Sequence, residues 1–174
     1  MTARTYIGSL RGFCDLCLAE NIQPTFPVTA NVLRRHPSFF QEYQDKGIEF
    51  AIHGYQHIDY AAFPEEEFAR HLDLARHVCE RYGIEARGFR FPFLRKKREL
   101  LDLLSERGVA WDSSTVVAWN HLNPADFGKR IWHDYQNILT TYESESAGER
   151  RALPRFHNGM VEIPVAVPDD DILL

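Results

Sequence analysis

Asp45–Asp59 reads DKGIEFAIHGYQHID and holds one complete unit of the fold. A charged segment ends at Gly47, where a helix C-terminus takes a left-handed residue. The apolar run Ile48–His53 follows and has strand length. Two histidines close the unit, His53 at the strand end and His57 four residues later. Three further junctions repeat the pattern: AENIQPTFPVT (Ala19–Thr29), RYGIEARGFRFP (Arg81–Pro92) and ERGVAWDSS (Glu106–Ser114). Asn21, Gly83 and Gly108 take the place of Gly47. The predicted strands are Thr25–Thr29, Ile48–His53, Ala86–Pro92 and Val109–Asp112.

Between the strands the spacing predicts helices. Over Pro64–Tyr82, Phe68, Leu72, Ala75 and Cys79 recur at helical intervals. Pro64 suits the first turn, and Glu65, Glu66 and Glu67 complement the helix dipole there. Leu100, Leu101 and Leu104 mark a shorter helix before Gly108. Ile7, Leu10, Phe13, Cys14, Cys17 and Leu18 mark another before Asn21. Asn31–Lys46 reads as helical with a restart at Pro37. Helix alternating with strand builds a parallel sheet covered by helices, open or closed into a barrel. Residues 114–158 show no clear period, and ESESAGER (Glu143–Arg150) reads as a surface loop. MVEIPVAVP (Met160–Pro168) reads as one more strand, with Pro164 opposed to full pairing on both sides.

A full eight-unit barrel needs about 250 residues, and this chain has 174. No strand precedes the first helix, and no helix follows the last strand. The expected fold is therefore an α/β, incomplete barrel of parallel strands alternating with helices. A complete small open sheet is the alternative. An incomplete barrel is expected to expose sheet edges and to associate through them.

Composition narrows the function. The chain is 44% hydrophobic and 13% aromatic, as an ordinary globular protein is. Its formal charge of −5 disfavours a nucleic-acid partner. No apolar run approaches the ~20 residues of a membrane helix. Three cysteines are too few for a disulfide framework. A reducing cytoplasm is the expected compartment, and a leader upstream of Met1 would lie outside this sequence.

His53 and His57, at i and i+4 after a strand, can share one metal ion. Neutral imidazoles suit zinc, cobalt, nickel or iron better than magnesium. A third ligand, expected to be a carboxylate, is needed to hold it. Arg90, Pro92 and Phe93 in RFPF and Asp112 in WDSS end the next two strands. Strand C-termini form the active-site rim of α/β barrels, so these residues are expected to meet the histidines there. Each has a plainer role available, as a surface histidine, a salt-bridged arginine or a loop proline. Cys14 and Cys17 have redox spacing but fall on an apolar helix face. His71 and His77 read as surface residues of a charged helix. Trp119, Trp132, Tyr135 and Tyr142 could stack on a sugar ring or pack a loop. Arg95–Arg98 (RKKR) could attract an anion or form a solvated helix face.

Together these segments resemble the polysaccharide deacetylase family, the NodB homology domain of carbohydrate esterase family 4. His53-Gly54-Tyr55-Gln56-His57 is similar to the family's His-Ser/Thr-x-x-His, with Gly54 in place of Ser or Thr. Arg90-Phe91-Pro92-Phe93 resembles its Arg-x-Pro segment. PTFPVTANVL (Pro24–Leu33) resembles its Ala-Thr-Phe-Phe-Val run, and GVAWDSS (Gly108–Ser114) its Trp-Asp segment. The resemblance covers residues 8 to 119 and implies one such domain across 1–174. It lacks the first strand, with its Asp-Asp pair, and the closing elements. The resemblance implies metal-assisted hydrolysis of an N-acyl amino sugar, as polysaccharide, peptidoglycan or lipid-linked sugar. His53 and His57 would hold a divalent metal, zinc first, with cobalt or nickel also suitable. Arg90 would orient the absent basic Asp, with Asp112 holding Arg90, and the Phe93 N–H would face the oxyanion. His157 is a weak stand-in for the missing general acid. A catalytically inactive carbohydrate-binding or scaffold relative, and a different metal hydrolase on a similar barrel, remain alternatives.

Overall fold

Four left-handed residues set the rhythm of the chain: Asn21 (φ 58°), Gly47 (φ 96°), Gly83 (φ 67°) and Gly108 (φ 73°). Each lies two residues past a helix, namely α1 (Ala3–Ala19), α3 (Pro37–Asp45), α4 (Glu65–Arg81) and α5 (Arg98–Glu106). Each turns the chain into a strand: β1 (Thr25–Val28), β2 (Glu49–Ile52), β3 (Gly88–Phe89) and β4 (Trp111–Asp112). The computed structural model describes residues 3–118, 125, 128–143 and 153–167. A short α2 (Ala30–Arg35) precedes α3, and Pro37 opens the new helix, as the sequence predicts. Among the described residues no helix is long and apolar enough to cross a membrane.

Among the described residues, six of the eight strands form one sheet in the order β1-β2-β3-β4-β7-β6. Pairs from β1 to β4 are parallel, and β7 (Met160–Glu162) joins β4 in parallel. Only β6 (Arg155–His157) is antiparallel, joined to β7 by a tight Asn158-Gly159 turn with both residues at positive φ. Among the described residues the sheet does not close, in keeping with the expected incomplete barrel. Its helix-covered face is a core of aromatic rings. Phe40 meets Phe50 edge-on at 5.0 Å, and Phe68 stacks on Phe91 at 5.3 Å. The buried face of α4 carries the expected Phe68, Leu72, Ala75 and Cys79.

Three expectations need correction. Residues 114–158 contain a helix, α6 (Lys129–Glu143), and a strand, β5 (Val116–Ala118). Tyr135 and Leu139 of α6 are buried, with Trp132 packed on them. Met160–Pro168 is not one strand: the chain breaks at Ile163-Pro164, and β8 (Val165–Val167) pairs with β5 in a separate two-stranded sheet. Pro164 offers no N–H to a ladder, which suits a break there. His71 is buried, not on the surface, whereas His77 is exposed. Trp119 and residues 144–150 of the expected surface loop lie outside the described residues.

Candidate active site

The parallel register builds the site one strand at a time. His53 N–H donates to Val28 O at 2.9 Å, and Arg90 N–H donates to Ile52 O at 2.9 Å. Ser113 N–H donates to Phe89 O at 3.0 Å, and Ile163 N–H donates to Asp112 O at 2.7 Å. The first residue past each strand is thus hydrogen-bonded to the strand before it. His53, Arg90, Ser113 and Ile163 form one row along the C-terminal edge, where barrel enzymes place their chemistry.

The two histidines come together as the spacing predicts. Their ring centroids lie 4.9 Å apart. His53 is half-buried and His57 exposed. His53 Nδ1 is 2.7 Å from the Arg90 carbonyl oxygen. A carbonyl only accepts, so Nδ1 carries the proton and Nε2 the lone pair. Burial pushes the His53 imidazole below its ordinary value, and the Arg90 carbonyl partly offsets this. A neutral ring with Nε2 open is the form that ligates a cation.

Arg90 is fixed as a fork. Its Nε donates to the Ser113 carbonyl at 2.8 Å and its Nη2 to Ser113 Oγ at 2.8 Å. A cleft of about 230 Å³ opens beside it, lined also by Thr25, Glu49, Trp111 and Ser113. Phe93 sits at the rim with φ 60°, half exposed, its ring 4.6 Å from His57.

Asp112 belongs to the other side of the sheet. The register aligns it with Phe89, and Phe89 with Ile52. Side chains alternate along a strand, so Asp112 shares the core-facing side with those two apolar residues. Its carboxylate accepts from Ser114 N–H at 3.0 Å and Ser114 Oγ–H at 2.7 Å. Ser114 Oγ in turn accepts from Phe91 N–H at 2.8 Å. Asp112 therefore braces the Arg90–Phe93 segment through Ser114, while Ser113 grips the guanidinium. Burial pushes the Asp112 carboxyl up to about 7, against the pull of Ser114 and Lys96.

Two neighbours, Thr115 and Glu162, were not singled out in the sequence. Lys96 ion-pairs with Glu162 and donates to Thr115 Oγ1, closing the end of β7. Arg95 pairs with Asp59 at 2.8 Å, and Asp59 also caps the turn at Tyr60. Half of the RKKR run is thus engaged in ion pairs beside the rim. His157 is far from the row: it lies next to the Asn158 turn, 2.8 Å from Asp102 of α5. Cys14 and Cys17 are buried free thiols, as their apolar face predicts.

The donor set fits a cation in part. Two oriented imidazoles suit a borderline metal such as zinc. Among the described residues, no group of three His, Cys, Asp or Glu side chains converges.

The fold has solved counterparts. A Mycobacterium smegmatis protein assigned as a polysaccharide deacetylase superposes with a TM-score of 0.65 at 21% identity, over 88% of this chain and 44% of that one. A family 4 carbohydrate esterase from Streptomyces lividans, solved with acetate, gives 0.59 at 15% identity over 91% and 72%. A Bacillus anthracis family 4 pseudoenzyme gives 0.59 at 12% identity over 92% and 50%. At these identities the likeness shows the fold alone. The chain spans less than half the length of the mycobacterial protein. No curated protein matches it in sequence. The polysaccharide deacetylase sequence profile matches residues 10–111, which run from α1 to β4 and include His53, His57, Arg90 and Phe93. With more than half the chain matched, the protein belongs to the polysaccharide deacetylase family.

Proposed function

We propose that this chain is part of a metal-dependent hydrolase that cleaves the amide of an N-acylated amino sugar. The sugar would be in a polysaccharide or on a lipid, and the acyl group acetyl or formyl. The chain is read as one NodB-type domain across 1–174. The observation that carries this reading is the pair of imidazoles 4.9 Å apart, with His53 Nδ1 committed to Arg90. His53 and His57 would hold the cation, zinc foremost, with cobalt or nickel also suited. When bound, it supplies Lewis acidity and an acidified water.

The chain's own residues do the remaining work. The Arg90 carbonyl holds His53 in the ligating tautomer, and the Arg90 guanidinium is preorganised by its two bonds to Ser113. It would orient a basic carboxylate. The Phe93 N–H would donate to the developing oxyanion, and rigid donors of this kind contribute strongly to acyl transfer. Asp112 keeps that segment in place through Ser114 and Phe91. A reducing, cytoplasmic setting suits the three free thiols.

A second reading is an inactive carbohydrate-binding or scaffold module. It is favoured by the missing third ligand among the described residues and by the fold shared with a pseudoenzyme. Acetate release from N-acetylglucosamine oligomers by the zinc- or cobalt-loaded protein, in a form long enough to carry the first-strand Asp-Asp pair this chain lacks, separates the two. The hydrolase reading predicts release that His57→Ala abolishes. Oligomer binding without release would install the second reading. Turnover confined to small cyclic amides would point to a different hydrolase on this fold.

A further inference from the structure

The His53–His57 loop is clamped from both sides, and one clamp is a side chain with no role so far. On one side the start of α2 donates to the loop: Ala30 N–H to Gly54 O at 3.0 Å, and Asn31 N–H to Tyr55 O at 3.1 Å. On the other side lies the Tyr60 hydroxyl. It accepts from Tyr55 N–H at 3.0 Å and from Gln56 N–H at 3.3 Å. It is also 3.2 Å from His71 Nδ1 and 3.2 Å from the Gln56 carbonyl. Tyr60 is 1% exposed and His71 is 9% exposed, so water does not compete for these bonds.

The Tyr60 ring also explains Gly54. A Cβ at position 54 would lie 2.4 Å from the Tyr60 ring, and Gly54 has φ +76°. A side chain at 54 and the tyrosine at 60 therefore exclude each other. The space a Ser or Thr would occupy after His53 is filled by a phenol reaching in from the following turn.

We propose that Tyr60, oriented by His71, is the positioning residue that sets the separation and aim of the His53 and His57 imidazoles. With two acceptances from the loop amides, the hydroxyl's single proton goes either to His71 Nδ1 or to the Gln56 carbonyl. The bond to His71 joins α4 to the loop, so the helix that covers the sheet also fixes the ligand pair. The consequence for metal binding rests on the reading of His53 and His57 as ligands; the clamp itself does not.

The test uses the full chain with Co²⁺ as the probe, and amide exchange of Tyr55 and Gln56 by NMR. Tyr60→Phe keeps the ring and removes only the hydroxyl. It is expected to weaken Co²⁺ binding about 10-fold or more, the scale of outer-shell losses. It should also shift the Co²⁺ visible band and strip protection from both amides. Tyr43→Phe is the control: Tyr43 is equally buried and bonded to Asp15 at 2.6 Å, away from the row. It should alter stability but neither the Co²⁺ band nor those amides. Should Tyr60→Phe fold poorly, His71→Leu should lower Co²⁺ affinity and His71→Gln should restore it. Retained protection at Tyr55 and Gln56, or an unchanged band and affinity in a chain that binds Co²⁺, would overturn the proposal. If the unmodified chain takes no Co²⁺, the metal reading fails on its own. The amide-exchange comparison then decides the clamp.

Discussion

Burial pushes the Asp112 carboxyl up to about 7, well above the ordinary carboxylate range. In the unfolded chain it returns to about 3.9. The folded state therefore binds this proton more tightly. The stability Asp112 contributes is complete below pH 4 and is lost as pH rises through 7. Asp112→Asn keeps an uncharged acceptor beside Ser114 and should remove this dependence. Urea unfolding of both proteins should show the wild type losing ground to the variant by up to about 1.4 kcal/mol per pH unit between pH 4 and 7. Parallel pH profiles would mean that Asp112 stays ionised in the fold. Asp112 also marks the limit of sequence reading at this scale. WDSS located the strand end, but β4 is two residues long, too short for alternation to assign a side. Ser113, one residue on, proved to be the residue in the Arg90 row. His71 was legible in principle: it lies three residues after Phe68 and four before Ala75, on the apolar face of α4. The surrounding charges hid it.

Short elements carry the sheet, so single contacts between strands matter. Gly88 pairs with Trp111 across β3 and β4. A Cβ on Gly88 would lie 2.0 Å from the Trp111 ring. The glycine is thus a seat for the indole, which lines the cleft beside Arg90. Gly88→Ala should cost about 1–3 kcal/mol by overpacking and should shift tryptophan fluorescence, while Gly88→Ala with Trp111→Leu should recover much of the loss. An unchanged denaturation midpoint in the single variant would show that the indole does not rest there. Elements with an end signal and a clear period were legible, α4 above all. α6 was missed because its buried residues, Tyr135 and Leu139, are few and sit among exposed polar ones. The break at Pro164 was half seen, as a strand weakened by proline; its division between two sheets depended on β5, which no sequence signal marked.

The whole sheet exposes two edges, β1 and β6, with no partner on their outer sides among the described residues. Pro27 fits β1 as an edge, because a proline has no N–H for an outer ladder. Exposed Phe13, Leu16 and Phe156 add apolar surface, and such edges favour association. The parallel order was readable from the alternation of helix and strand. The row at the C-terminal edge was readable because each unit ends in one polar or special residue. A third ligand was not readable, and none converges with His53 and His57 among the described residues. The central claim is that these two imidazoles supply two of the ligands of a divalent cation, with a carboxylate needed to complete the set. Equilibrium dialysis of the full chain against zinc, followed by elemental analysis, tests it directly. The account predicts bound zinc in the unmodified chain and its loss in both His53→Ala and His57→Ala. Zinc content that neither substitution changes would contradict it.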